Sequence, residues 1–131
     1  MRLLLDTSYL YKLMAAPDHL SDAERMILTN HAVPVYVSAV SVWEMRLKFK
    51  ARNRSGGRAS PFDPNDVVAA LDQQNVIFVP MTVSHAAQDL EVPIAHKDPF
   101  DELLLVQAQE EGLKLLTVDR QLVTHPLAIT P

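Results

Sequence analysis

Two carboxylates stand where short apolar runs end: Asp6 after Arg2 to Leu5, and Asp119 after Leu113 to Val118. Each run reads as a buried strand, and in a parallel α/β sheet the carboxyl ends of the strands line the crevice where ligands bind. Acids gathered on that rim repel one another unless a cation joins them, and a hard divalent ion with oxygen ligands suits such a place. Glu44 is a third acid, set among Val42, Trp43, Met45 and Leu47, where a charge needs a partner or an exposed edge. The segment HKDPFDELL brings two more. Helix physics accounts for these by itself: Asp98 before Pro99 is a ready N-cap with proline at the first helical position, and Asp101 falls in the first turn, where the dipole favours an anion. An acid at a strand end can also simply cap or turn the chain. Each acid alone therefore admits a structural reading, and the set is what points to a cation.

Other chemistries are poorly supplied. The chain has no cysteine, so thiolate sites and disulfides are excluded. The five histidines (His19, His31, His85, His96, His125) lack metal-ligand spacing and read as surface or loop residues. There is no glycine-rich phosphate loop and no nucleophile elbow.

The elements that must position the acids alternate in type. Tyr9, Leu10, Leu13 and Met14 form a helical stripe after Asp6-Thr7-Ser8, and Pro17 closes it. Ser21 and Glu24 form a capping box before a second helix, and Val35 to Val37 reads as a strand. From Trp43 to Ala51 apolar and polar residues alternate, which by periodicity alone is a strand signal. Arg52 to Pro64, with Gly56-Gly57, reads as a loop. Helices are expected over Asp66 to Gln74, Ser84 to Leu90 and Pro99 to Glu111, the last ended by Gly112. Val76 to Val79 and Leu127 to Ile129 read as strands. Strands alternating with helices, without a hairpin signal, favour a mostly parallel sheet covered on both faces.

With 131 residues, 48% of them apolar, the chain is expected to form one domain over 1–131. Asp6 interrupts the N-terminal apolar run well short of a signal peptide, and no stretch approaches the ~18 apolar residues of a spanning helix. The expectation is a cytoplasmic protein with no membrane segment. The net charge of −4 argues against holding nucleic acid by bulk charge. Its distribution is uneven: Arg46, Lys48, Lys50, Arg52, Arg54 and Arg58 crowd between Met45 and Phe62 with no acid among them.

The segments LLLDTSYL, SAVSVWEMRLK and HKDPFDELLLVQAQEEGLKLLTVD, in that order, resemble the PIN-domain family and within it the VapC-type toxins. The resemblance runs nearly end to end, and the third segment is its most specific part. It implies a three-layer α/β/α sandwich, a helix rather than a strand around Glu44, and a homodimer. It also implies an acidic site of Asp6, Glu44, Asp101 and Asp119 holding Mg²⁺ or Mn²⁺. Asp98 matches a frequent family acid and is assigned to capping or to supporting the ligands. Thr7 and Thr117 match polar positions near the metal, and Lys48 matches a lysine one turn after Glu44. Glu102 departs from the arginine usual after the second acid of that motif, which puts any dimer or substrate contact of that arginine in doubt. The implied reaction is hydrolysis of RNA phosphodiester bonds by a metal-activated water, in a toxin restrained by a cognate antitoxin. Arg46, Lys48, Lys50, Arg52 and Arg54 would then steer phosphates towards a site that otherwise repels them.

Two other readings compete. A Mg²⁺ phosphatase or phospho-acceptor domain usually needs paired acids directly after the first strand, whereas Asp6 is followed by Thr7-Ser8. A protein that keeps the fold only to bind an antitoxin would have no need of all four acids.

Overall fold

Leu3, Leu4 and Leu5 are all essentially inaccessible to solvent, yet they serve two different cores. Successive side chains of a strand point to opposite faces, so Leu3 and Leu5 join one apolar cluster and Leu4 the other. Such a strand is covered on both sides, as a central parallel strand must be. The computed structural model describes residues 1–30, 32–51, 56–57 and 60–131. Among them the strands are β1 (Leu3–Leu5), β2 (Val35–Ser38), β3 (Ile77–Val79), β4 (Lys114–Leu116) and β5 (Ala128–Ile129), in one sheet ordered β3-β2-β1-β4-β5. Every pairing is parallel.

The helices are α1 (Thr7–Ala15), α2 (Asp22–Thr29), α3 (Ala39–Lys50), α4 (Pro64–Asp72), α5 (Val83–Ala87) and α6 (Pro99–Glu111). Tyr9 and Leu10 of α1 and Val67 and Leu71 of α4 pack with Leu3, Leu5, Val37 and Leu116 on one face of the sheet. Leu104, Leu105 and Ala108 of α6 pack with Leu4, Leu115 and Val79 on the other. The result is the three-layer α/β/α sandwich expected from the sequence. Truncating any of these buried leucines to alanine would cost about 2–5 kcal/mol.

Helix boundaries follow local chemistry. Ser21 and Glu24 cap α2 reciprocally, and Asp98 accepts the first free N–H groups of α6. Gly112 ends α6 at φ 67°, a left-handed conformation open to glycine at little cost. The segment around Glu44 is the helix α3, not a strand. Its apolar residues alternate because they face several environments: Val40 and Met45 enter opposite cores, while Trp43 and Leu47 remain exposed. α3 touches α1 and α4 on one side and α6 on the other, which carries Glu44 over the rim of the sheet. α5 stops at Ala87, short of the expected Leu90.

Candidate functional site

The sheet order reverses between β1 and β4, because the chain leaves β1 for β2 on one side and places β4 on the other. Loops that diverge at such a switch leave a crevice beyond the strand ends. Asp6 lies there as the residue between β1 and α1, and Thr117 and Asp119 follow β4. The Asp6 N–H donates to the Leu116 carbonyl at 3.1 Å, fastening the two strand ends together. The buried Thr117 hydroxyl donates to Asp6 Oδ2 at 2.7 Å and accepts the Asp119 N–H at 3.0 Å, so one side chain holds both acids. Asp119 Oδ1 in turn accepts the Gln121 N–H at 2.9 Å.

α3 and α6 bring the remaining acids. The Thr7 hydroxyl donates to Ser41 Oγ at 2.8 Å, a buried bond that ties the start of α1 to α3. Glu44 lies one turn along α3, with Lys48 Nζ 3.2 Å from its Oε2. That ammonium also lies over the Tyr11 ring. At the start of α6, Asp98 Oδ1 accepts the N–H groups of Phe100 and Asp101 at 2.9 and 3.3 Å, which is the capping role foreseen for it. Asp101 Oδ2 meets His96 Nε2 at 3.0 Å.

The electrostatics bind the set together. Asp6 is only 2% exposed. Burial raises its pKa, and the charges of Asp119 and Glu44 add to the rise while hydrogen bonds from Thr117 and the Thr7 backbone oppose it. Asp101 is raised to about 6, first by burial and then by the charges of Asp98, Asp6 and Asp119, against the lowering hydrogen bond from His96. Acids at the end of β1, on α3 and α6, and in the loop after β4 thus sense one another. Among the described residues no group of three acidic or histidine side chains is placed as ligands round a single point. The donor set still fits a hard cation: every candidate ligand is a carboxylate oxygen, and Asp6 has no ion-pair partner among the described residues. A buried, crowded carboxylate of this kind is unfavourable until positive charge joins it.

The basic stretch divides. Lys48 turns to Glu44, whereas Arg46 and Lys50 line a cavity on another face of α3. Arg52, Arg54 and Arg58 lie outside the described residues, as does His31. The reading of the histidines as surface or loop residues needs correction at His85, which lies in α5; His96 and His125 lie in irregular chain, as expected. His85 is buried, joined to Glu111 at 2.8 Å and to Gln107 at 3.3 Å; His125 is buried and bonded to the Val92 carbonyl at 2.7 Å. His96 is partly buried against Asp101. Sequence reasoning also missed Ser41, whose partner Thr7 is 34 positions away. No spacing rule signals either contact, because His96 sits in irregular chain that folds back on α6.

A family model described as PIN domain matches residues 3–125. No curated protein gives a significant match. Among solved structures, a chain of VapBC2 from Rickettsia felis, bound to a DNA fragment from their promoter, is similar with a TM-score of 0.62 at 13% identity. The match covers 100% of this chain and 98% of that one. A chain of DNA-bound VapBC from Salmonella typhimurium gives a TM-score of 0.62 at 14% identity, covering 100% and 97%. At such identities these likenesses speak to the fold, an α/β architecture shared with VapBC proteins. The family match extends over nearly the whole sequence, from β1 past Asp119, and the chain belongs to the PIN-domain family.

Proposed function

We propose that this protein is a Mg²⁺- or Mn²⁺-dependent endoribonuclease, the toxin of a toxin–antitoxin pair, folded as one domain over 1–131 and acting as a homodimer in the cytoplasm. PIN domains are generally nucleases that use divalent metal ions, which supplies the broad class. The observation that carries the reading here is that Thr117 joins the Asp6 carboxylate to the Asp119 N–H at the β1/β4 switch point, where burial and the charges of neighbouring acids raise the pKa of both Asp6 and Asp101. Buried acids that raise one another's pKa are stabilised when a cation joins them.

Asp6, Glu44, Asp101 and Asp119 would hold the ion. When bound, a divalent cation lowers the pKa of water and offsets charge developing on a phosphate under attack. The chain's own groups prepare the place. Thr117 fixes Asp6 and the turn bearing Asp119, and His96 restrains Asp101. Lys48 offsets Glu44 until a stronger cation competes for it. Hydrolysis then forms one bond from water oxygen to phosphorus and breaks one P–O bond of the strand, the departing oxygen taking a proton.

The VapBC neighbours support an antitoxin partner, and paired carboxylates are well matched by an arginine from such a partner. The test is inducible expression of the wild type beside Asp6→Asn, with and without the small protein encoded next to it, followed by sequencing of RNA ends. New ends and growth arrest from the wild type alone, suppressed by the neighbour, are expected. Equal RNA profiles for the two proteins would overturn the nuclease reading, and arrest unaffected by the neighbour would overturn the toxin–antitoxin one.

A further inference from the structure

A cavity of about 540 Å³ opens between α3 and the start of α4, lined by Trp43, Arg46, Phe49 and Lys50 and, across from them, by Asp63 and Asn65. At 100° per residue, Trp43, Arg46 and Lys50 share one stripe of α3, and Glu44 lies about a quarter-turn round from Trp43. Trp43 therefore stands at the edge between cavity and acidic rim. Its ring meets Phe100 edge-on, with centroids 5.4 Å apart, and Phe100 immediately precedes Asp101. A strand leaving the acids past Phe100 would reach Trp43 first and the cavity next.

The cavity's lining sets an aromatic ring beside two cations. Trp43 remains 48% exposed, although its ring would contribute much by burial. Among the described residues neither Arg46 nor Lys50 is ion-paired. The one acid in the lining, Asp63, is engaged as the cap of α4, accepting the Asn65 N–H at 2.9 Å. An open aromatic face beside two uncommitted cations is the combination that takes a base and its phosphates from a single strand. The volume lies in the range of small-ligand sites and suits one nucleotide.

We infer that this cavity is a nucleotide-binding subsite for single-stranded RNA, in which a base adjoining the cleaved bond stacks on Trp43 while Arg46 and Lys50 hold the neighbouring phosphates. The inference takes its ligand from the nuclease reading above and adds where the strand is gripped. Because the base meets a π-face, the subsite selects unpaired over duplex RNA with little preference among bases.

Trp43 is the chain's single tryptophan, so its fluorescence reports on the subsite alone. The full chain is titrated in EDTA with a single-stranded oligoribonucleotide of mixed sequence, and in parallel with an abasic strand of equal length. Saturable quenching by the first and not by the second is expected. With a labelled strand followed by anisotropy, Trp43→Ala should weaken binding about tenfold and Trp43→Phe should restore most of it. Arg46→Gln with Lys50→Gln should flatten the salt dependence. RNA that binds without changing the emission, or an abasic strand that quenches equally, overturns the subsite. So does emission that answers to the neighbouring gene's protein and not to RNA, which would make the cavity a protein-docking site. Wild-type cleavage in Mg²⁺ is measured alongside. Cleavage without quenching removes the subsite and spares the nuclease reading; quenching without cleavage keeps the subsite and removes the nuclease.

Discussion

Replacing Asp101 by asparagine should make the metal-free protein more stable while destroying its activity. Asp101 titrates at about 6 against an ordinary 3.8, with burial the largest cause and the charges of Asp98, Asp6 and Asp119 behind it. Its side chain is only 14% exposed, so solvent screens the effect little. A difference of that size corresponds to at most about 3 kcal/mol of destabilisation once the group is ionised. The pull of the α6 dipole on this first-turn anion is already contained in that value, and asparagine's poorer match to the carboxyl's hydrogen bond with His96 takes back about 1 kcal/mol. The net gain for Asp101→Asn is about 2 kcal/mol. For a 131-residue chain that is a melting temperature raised by about 7 °C. The sign depends on pH in a defined way. A carboxyl with a raised folded-state pKa carries no penalty below its unfolded value, so variant and wild type should converge below pH 3.8. The gap opens between 3.8 and about 6 and is complete above. Adding Mg²⁺ or Mn²⁺ reverses the order, since a ligand at a hundred times its Kd stabilises the wild type by about 2.7 kcal/mol that the variant largely loses. Thermal melts in EDTA and in saturating metal across that pH range decide the matter. If Asp101→Asn melts several degrees below wild type in EDTA at neutral pH, Asp101 is chiefly a first-turn helix stabiliser and partner of His96, and the crowding argument fails.

Thr117→Val keeps shape but removes the hydroxyl that joins Asp6 to the Asp119 N–H; cleavage and metal affinity should fall about 10- to 100-fold, and Thr117→Ser should restore them. Equal activity for all three would show that the threonine does not position the acids. Away from the site, burial favours a raised pKa for Glu24, but hydrogen bonds from Tyr9, Lys12 and Ser21 outweigh it and hold the carboxyl at about 2. That depressed value supplies up to about 3 kcal/mol, fully present above pH 4.5 and lost as pH falls towards 2. Urea unfolding of Glu24→Gln should therefore reveal a deficit at pH 7 that shrinks on acidification, and a deficit independent of pH would refute the assignment.

The layering was legible because leucine runs bounded by turn residues leave little choice. A three-residue strand such as Leu3–Leu5, inaccessible on both faces, has to lie inside a covered parallel sheet. Asp6 and Asp119 could be placed on one rim for the same reason. Periodicity failed at α3, where Val40, Trp43, Met45 and Leu47 meet two cores, a cavity and solvent, so no single face is apolar. There the resemblance of the surrounding motifs carried the helical reading. Contacts made by irregular chain were out of reach: His96 against Asp101 and His125 against the Val92 carbonyl depend on how residues 88–98 fold back. The basic stretch was visible as a charge cluster, but its division between Lys48 at Glu44 and Arg46 and Lys50 at the cavity follows from helical phase once α3 exists.

The central claim, that crowded carboxylates at the β1/β4 switch point hold a cation that cuts RNA, is tested most directly by cleavage of a single-stranded RNA by purified protein. The comparison is wild type against Asp6→Asn, with Mg²⁺ or Mn²⁺ and with excess EDTA. Cleavage by the wild type in metal alone, abolished by chelation and absent from Asp6→Asn under every condition, is the predicted result. Undiminished cleavage in EDTA, or an Asp6→Asn protein as active as the wild type, would contradict it.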